Sequence, residues 1–280
     1  MSTKNFFAAA LVTGSMFVTG AASAAASPVT LNPMATNGGL GVLSATDAAF
    51  QAVGFQSNLT ASLVISGNSG VQTFSETGQI DITQFSNPGP VASGVFTNYR
   101  ILGNFALSGS GSWAGSVYTA TPGTVSLTLT LVGDPGLLGG GDAFTLGTAT
   151  LAPGPTLAFA IAFGFINPGD FGTAITSLSA ELNFAPAAGT AGATGFFQAP
   201  DPFAIDLAVG NAGGNAFNTG YSVDAGGVVT FTTPVPGANP GTANVTFVTP
   251  IPEPGIISLA GLALVAAGMA SRRRKVAATA

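Results

Sequence analysis

The feature that most restricts the fold of this chain is an alternation of large apolar with small polar residues. Over residues 125–131, Val and Leu occupy the odd positions, and Ser and Thr occupy the even positions. The stretches 178–184 and 203–209 alternate in a similar way. A period of two places one set of side chains in a core and the other set in water. The pattern therefore predicts β-strands with one buried face.

A fourth stretch, 157–165, alternates Leu, Phe and Ile with Ala and Gly instead of with polar residues. This composition indicates a strand that is covered on both faces. A helix over 157–163 is the alternative, because Ala favours helices. The flanking Gly and Pro residues favour the strand.

Turn sequences separate the alternating stretches. Each combines Gly, which accepts positive φ, with Pro or Asp, which favour tight turns. They lie at 88–90, 122–123, 134–136, 139–142, 153–155, 167–170 and 224–227. Short strands between such turns predict an all-β body, arranged as an antiparallel sandwich or a jelly-roll-like fold.

Charged side chains are scarce. They make up 6% of the chain, against about 25% in a typical protein. Residues 27–249 contain one basic residue, Arg100, and ten carboxylates, so this segment has a net charge of −9. Nucleic acid is excluded as a partner, because no cluster of Lys or Arg can displace phosphate counterions. Direct ionic adhesion to an anionic polysaccharide would need a bridging divalent cation.

The chain contains no Cys and no His. Thiolate nucleophiles, His bases and Cys/His zinc sites are therefore excluded. We therefore predict that the chain is not an enzyme and that it has neither a cofactor nor a metal centre. A hydrolase that uses carboxylates alone is the remaining catalytic alternative. Its candidate pairs are Glu76 with Asp81, and Asp201 with Asp206; we expect Asp206 to be solvated on the wet face of its strand.

Several other charged residues could either bind a ligand or simply be solvated or bonded within the chain. Arg100 could bind a ligand carboxylate, or it could be solvated or paired locally. Asp142, Asp170 and Asp224 follow or precede glycines in turns, where they could bind calcium. Their spacing matches no EF-hand, and an Asp in a turn commonly accepts bonds from its own backbone. Calcium binding therefore stays open.

Aromatic residues with polar tips are candidates for a carbohydrate contact. Trp113 follows the run Gly-Ser-Gly-Ser, which could expose its ring, and Tyr99 and Tyr118 could extend the same platform. The alternative is that Trp113 packs in the core with its N–H on a carbonyl. Most of the 21 Phe residues are expected in the core.

Both ends of the chain predict export. Lys4 precedes an apolar run at 6–18 and small residues at 22–26, so residues 1–26 are predicted to be a cleaved signal peptide; an uncleaved anchor is the alternative. Near the other end, the uncharged segment 256–270 precedes a basic membrane stop, Arg272, Arg273, Arg274 and Lys275. As a helix the segment would span about 22 Å, short of a hydrocarbon core of about 30 Å. It suits a sorting tail better than a permanent span.

The tail at 250–280 closely resembles the sorting signal of exported bacterial PEP-CTERM proteins. The matching elements are Pro252, Glu253 and Pro254, then the predicted transmembrane helix 256–270, then the basic cluster 272–275. Ile251 stands where Val is usual. The resemblance implies processing by a membrane-embedded exosortase, a transient inner-membrane anchor, and delivery of the domain 27–249 to the cell surface or extracellular matrix. An ordinary tail anchor is the alternative.

A second resemblance is to the flocculation-associated subgroup of these proteins. It rests on Phe-Ser-Glu-Thr-Gly at 74–78, Asn-Tyr at 98–99, Gly-Thr-Ala-Thr-Leu at 147–151 and Phe-Phe at 196–197. Residues 100–102 depart from the subgroup. The resemblance implies a structural surface protein that supports cell aggregation with exopolysaccharide. A carbohydrate-binding module that retains a specific matrix glycan is the alternative function.

Overall fold

The computed structural model describes residues 26–41, 48–120, 125–138, 142–152, 158–162, 171–213, 219–233 and 241–249. Strands dominate these ranges, with one short 3-10 turn at Pro135–Leu138. The strands are β1 (Val29–Leu31), β2 (Phe50–Ala52), β3 (Gly54–Ile65), β4 (Val71–Asn87), β5 (Gly89–Val91), β6 (Arg100–Ala114), β7 (Val117–Ala120), β8 (Ser126–Asp134), β9 (Phe144–Leu151), β10 (Ala158–Ala162), β11 (Phe171–Pro186), β12 (Phe197–Ala199), β13 (Asp206–Gly213), β14 (Thr219–Val223), β15 (Val229–Thr233) and β16 (Gly241–Val248).

Four long strands, β3, β4, β6 and β11, organise a sheet that closes on itself. At one end, β8 and β9 connect β6 to β11, and β13 and β16 connect β11 back to β3. At the other end, β7 and β10 connect β6 to β11, and β14 and β15 connect β11 to β3. Because β3 also pairs with β4, and β4 with β6, each end is a closed ring of antiparallel strands.

A small second sheet covers one of the two rings. Its strand order is β12-β1-β2, and Leu31 of β1 and Phe197 of β12 reach the same interior as Phe55 and Phe247. This covered ring, with β8, β9, β13 and β16, is called the capped end below. The ring with β7, β10, β14 and β15 is called the far end.

The interior is filled by alternate side chains of the strands. Leu127, Leu129 and Leu131 of β8 are buried, and Thr128, between the first two, is exposed on the opposite face. The sheet is narrow enough that side chains fill it. Gly103 shows how closely: a Cβ there would lie 2.4 Å from the side chain of Ile80. An apolar cavity of about 40 Å³ remains between inward-facing leucine, valine, alanine, isoleucine and phenylalanine side chains.

The all-β, antiparallel prediction is confirmed, as are the strands predicted around 125–131 and 178–184, which lie in β8 and β11. β10 likewise confirms a strand rather than a helix over 158–162. The stretch 203–209 was predicted too long, because β13 begins only at Asp206. The predicted sandwich or jelly-roll-like arrangement is also wrong, because strand order closes one sheet instead of stacking two.

The predicted signal peptide and the predicted sorting tail lie outside the described residues. Within the part of the chain that the structure describes, we find no helix with the length and apolar character needed to cross a membrane.

Candidate functional site

Two of the three residues predicted as an aromatic platform, Trp113 and Tyr118, pack against each other at the far end. The Trp113 and Tyr118 rings lie 5.0 Å apart, and the Phe74 ring lies 6.0 Å from Tyr118. Trp113 Nε1 donates to the Gly67 carbonyl at 2.8 Å, and the Tyr118 hydroxyl donates to the Gln72 carbonyl at 2.8 Å. Trp113 is partly buried against the core. This is the packing alternative for Trp113, with the polar tip satisfied by a carbonyl.

The glycines beside Trp113 have a different role from the predicted one. Gly111 faces inward, and a Cβ there would lie 2.4 Å from the Thr119 carbonyl oxygen and 2.7 Å from the Tyr118 ring. Gly111 therefore makes room for β7 and for the Tyr118 ring. Burial of that ring raises the pKa of Tyr118 to about 12.

Tyr99 lies at the opposite end of β6 from Trp113. The separation along the strand is about 46 Å at the usual rise per residue. Tyr99 and Tyr118 are each 0% exposed, and the Tyr99 hydroxyl donates to the Ser93 carbonyl at 2.8 Å. The three residues of the predicted carbohydrate contact are therefore not brought together, and the two tyrosine rings present no face to solvent.

Phe96 is an exposed aromatic residue that the sequence did not single out. Its side chain is 49% exposed, and its backbone adopts a φ of 66°, which is unusual for any residue except glycine. Hydrogen bonds fix this turn: Phe96 N donates to the Tyr99 carbonyl at 2.7 Å, and Asn98 N donates to the Gly94 carbonyl at 2.7 Å. The turn holds the Phe96 ring at the surface, beside the start of β6.

The carboxylates proposed as a catalytic pair, Glu76 and Asp81, point to opposite faces of β4. Asp81 lies on the outer face and forms an ion pair with Arg100. This local pairing is one of the two explanations predicted for Arg100, and the hydrogen bond that Arg100 donates to Asp81 raises the pKa of Arg100. Two carboxylates on opposite faces of one strand cannot flank the same glycosidic bond.

The two carboxylates of the second proposed pair, Asp201 and Asp206, differ in exposure to solvent. Asp201 is exposed, whereas Asp206 is only 5% exposed. The expectation of a solvated Asp206 is therefore wrong, although it does lie on the outer face of β13, between Asn183 and Val248 in register. Burial, followed by the negative charge of Glu181, raises the pKa of Asp206. Its neighbour Val248 is equally buried on that face, beside the N-terminal segment at Ala26.

Glu76 is a carboxylic acid on the inner face of the sheet. Its register partners, Leu63 on β3 and Leu107 on β6, are both buried. Part of the Glu76 residue is accessible to solvent, but its Oε2 is buried and has no hydrogen-bond partner among the described residues. Burial raises the pKa of Glu76 to about 7. The sequence contained a signal for this placement, because Glu76 shares the period of Phe74, Ile80 and Ile82.

No group of three or more carboxylates that could hold a metal ion occurs among the residues described. Asp224 instead caps its own turn, where Oδ1 accepts from Gly226 N at 2.8 Å and from Val228 N at 2.9 Å. Asp142 is exposed, and Asp170 lies outside the described residues. Calcium binding by these turns thus stays a hypothesis, with Asp224 engaged by its own backbone.

The residues of the predicted sorting motif, Pro252, Glu253 and Pro254, and of the membrane stop at 272–275 lie outside the described residues. Comparisons of the chain with protein-family models, with curated protein sequences and with solved structures found no match.

Proposed function

We propose that this chain is an exported structural protein of the cell surface or extracellular matrix. Its tail is sorted by an exosortase-type enzyme, and its body supports cell aggregation, or floc formation, together with exopolysaccharide. The observation on which the proposal depends is the sequence of the tail, in which the tripeptide 252–254, the apolar segment 256–270 and the basic cluster 272–275 follow one another. The signal-like residues 1–26 support the same route out of the cytoplasm.

The body supports a structural role without catalysis. Both edges of β3, β4, β6 and β11 are paired for much of their length, which protects the long strands from adding further strands at an edge. The outward positions of β16 include Thr242, Asn244 and Thr246, and those of β8 include Ser126, Thr128 and Thr130. Such a surface can hydrogen-bond to a hydrated neutral polysaccharide and needs no basic side chains to do so.

The sorting step is tested by the mass of the protein recovered from the cell surface. We expect a mass that lacks the signal peptide and is shortened near residues 252–254. Exchange of Glu253 for Ala should retain the precursor in the membrane fraction. The matched control is Ile251→Val, which restores the residue usual in the resembling family and should leave processing intact. Recovery of the wild-type chain from cytosol with both ends present would contradict the proposal.

The aggregation role is tested separately, by a clean deletion in the producing bacterium. We expect the deletion strain to aggregate less and to retain less matrix than its parent, and complementation to restore both. A deletion strain that settles and retains matrix like its parent would reject this part of the proposal while leaving the sorting part standing.

Phe96 favours one second candidate function, a carbohydrate-binding module. A rigidly held, exposed aromatic ring can stack on the face of a neutral sugar, and the adjacent Thr97 is also exposed. Retention on matrix polysaccharide should fall in Phe96→Ala and should not change in Val71→Ala, which removes another exposed apolar side chain, at the far end. Equal retention of both variants would exclude this contact.

A further inference from the structure

Glu76 lies on the inner face of the closed sheet, where no basic side chain of the described residues pairs with it. The strand β4 is paired on both sides at this point, by Leu63 of β3 and Leu107 of β6. Glu76 points between these two buried leucines toward the interior, and its Oε2 reaches neither water nor a hydrogen-bond donor among the described residues. An unpaired charge in such surroundings is strongly unfavourable.

The charges nearest in the fold do not offset this cost. The far-end strands β7, β10, β14 and β15 contain no Asp, Glu, Lys or Arg, and their titratable residues are Tyr118 and Tyr221. The Tyr118 hydroxyl already donates to the Gln72 carbonyl. On the long strands, Asp81 and Arg100 pair with each other on the outer face, and Glu181 lies outward on β11.

The sequence provides no other basic residue that could pair with Glu76. No Lys or Arg occurs between Arg100 and Arg272. Arg100 is engaged with Asp81, so no second basic side chain in 27–249 could move toward Glu76. A Glu76 carboxylate can therefore be relieved only by protonation or by contact with water.

We propose that Glu76 is a pH-sensitive latch for the far end of the closed sheet. When the carboxyl is protonated, it is tolerated inside the sheet, and the far end stays closed. When it releases its proton to solvent, the charge draws water between β4 and its neighbours, and the far end loosens while the capped end remains packed. The pKa of about 7, raised by burial, places the change near neutral pH. This device is independent of the sorting and aggregation proposed above.

The chain contains its own reporter for this end. Trp113 is the single Trp, and its ring is connected to the Glu76 strand through Tyr118 and Phe74. Phe74 lies two residues before Glu76 on the inner face of β4. The Tyr118 hydroxyl, with a pKa of about 12, does not titrate in the neutral range, so a change in Trp113 emission there has Glu76 as its nearest titrating group.

The experiment is acrylamide quenching of Trp113 in the purified full-length chain, from about pH 5.5 to about pH 8.5. We expect the quenching constant to rise by about twofold with a midpoint near neutral pH, since opening exposes the indole to the quencher. The Glu76→Gln variant should remain at the low-pH value throughout. The matched control is Glu181→Gln, an outward-facing Glu on β11, which should keep the wild-type transition.

A measurement on the wild type alone decides the proposal if Glu76→Gln does not fold. Amide exchange, corrected for its intrinsic pH dependence, should accelerate above neutral pH in β6 and β7 near Trp113, and not in β9 or β16, which pair with neither β4 nor the residues opposite Glu76. Quenching that is the same at both pH values, a transition that persists in Glu76→Gln, or exchange that accelerates equally at both ends would each overturn it.

Discussion

At the capped end of the closed sheet, phenylalanine rings from distant parts of the chain pack against one another, whereas at the far end the described interior includes polar tips, glycine and an acid. The Phe197 ring lies 5.1 Å from the Phe184 ring and 4.8 Å from the Phe203 ring, and the described side chains that line the interior beneath the second sheet include no carboxylate. At the far end, Trp113, Tyr118 and Glu76 occupy equivalent inward positions. Closure of a sheet thus does not require a uniform interior.

The difference teaches how each end is stabilised. The capped end depends on apolar area removed from water, a term that is non-directional. The far end depends on particular hydrogen bonds, because Trp113 donates to the Gly67 carbonyl in the β3–β4 connection and Tyr118 donates to the Gln72 carbonyl at the start of β4. We therefore expect the capped end to respond most to lost volume, and the far end to respond to lost donors and to pH.

The largest expected effect is truncation at the capped end. Phe197→Ala should lower the free energy of unfolding by about 3–5 kcal/mol, because it removes a buried ring and leaves a cavity. Denaturant unfolding monitored by circular dichroism measures the change. The same substitution at the exposed Phe96 is the matched control and should cost far less. Equal losses from both substitutions would mean that the capped end is not a packed core.

The next effect is the pH dependence of stability at the far end. The pKa of Glu76 is about 7 in the fold and 4.5 without it, so the folded state binds the proton more tightly. The contribution of Glu76 to stability is complete below about pH 4.5 and is lost as the pH rises to about 7, an amount of about 3 kcal/mol. Denaturant unfolding at a series of pH values measures this loss.

The matched variant for this prediction is Glu76→Gln, which stays neutral at every pH. It should flatten the stability curve between pH 5 and pH 8 and exceed wild type at alkaline pH. A wild-type curve that is already flat over this window would contradict the burial of Glu76.

The sequence predicted local structure well, because the period of two is a local property. The wet and dry faces of β8 and β11 followed directly from alternation. Closure did not follow, since it depends on which strands pair: β3 pairs with β16 near its start and with β15 near its end, partners more than a hundred residues away in sequence. Alternation alone is equally compatible with one closed sheet or two stacked ones.

Candidate site residues were harder to predict because residue type does not fix burial. Tyr99 and Trp113 have the chemistry of a sugar platform, but they lie at opposite ends of one strand. Glu76 could have been placed inside from its period with Phe74 and Ile80. Asp206 lies on the outer face of β13, as its period predicts, but it is buried there. The N-terminal segment at Ala26 pairs with the neighbouring Val248, and this contact could not be predicted from local sequence.

A smaller effect compares one hydroxyl at each end. Tyr99→Phe and Tyr118→Phe each remove a donor 2.8 Å from a carbonyl and leave a fully buried ring. Each should cost about 1 kcal/mol in global unfolding. Amide exchange should separate them: Tyr118→Phe should accelerate exchange in β7, and Tyr99→Phe in the turn 93–99. Acceleration of the same amides by both variants would show that the two ends are not independent.

The smallest effect, and the one of opposite sign, concerns the surface turn near the start of β6. Phe96 adopts a φ of 66°, which costs a residue with a Cβ about 1–2 kcal/mol relative to glycine. Phe96→Gly relieves this strain but gives the unfolded chain more freedom, an opposing cost of about 0.5–1 kcal/mol. We expect Phe96→Gly to raise the free energy of unfolding, measured in denaturant, by up to about 1 kcal/mol, and Phe96→Ala, which keeps the Cβ, to give no gain.

A glycine variant that retains less matrix polysaccharide while unfolding at higher denaturant would identify Phe96 as a residue kept for contact at the expense of stability. If Phe96→Gly destabilised the fold as much as Phe96→Ala, the ring itself would be contributing to the capped end, and the contrast between buried and exposed phenylalanines there would fail.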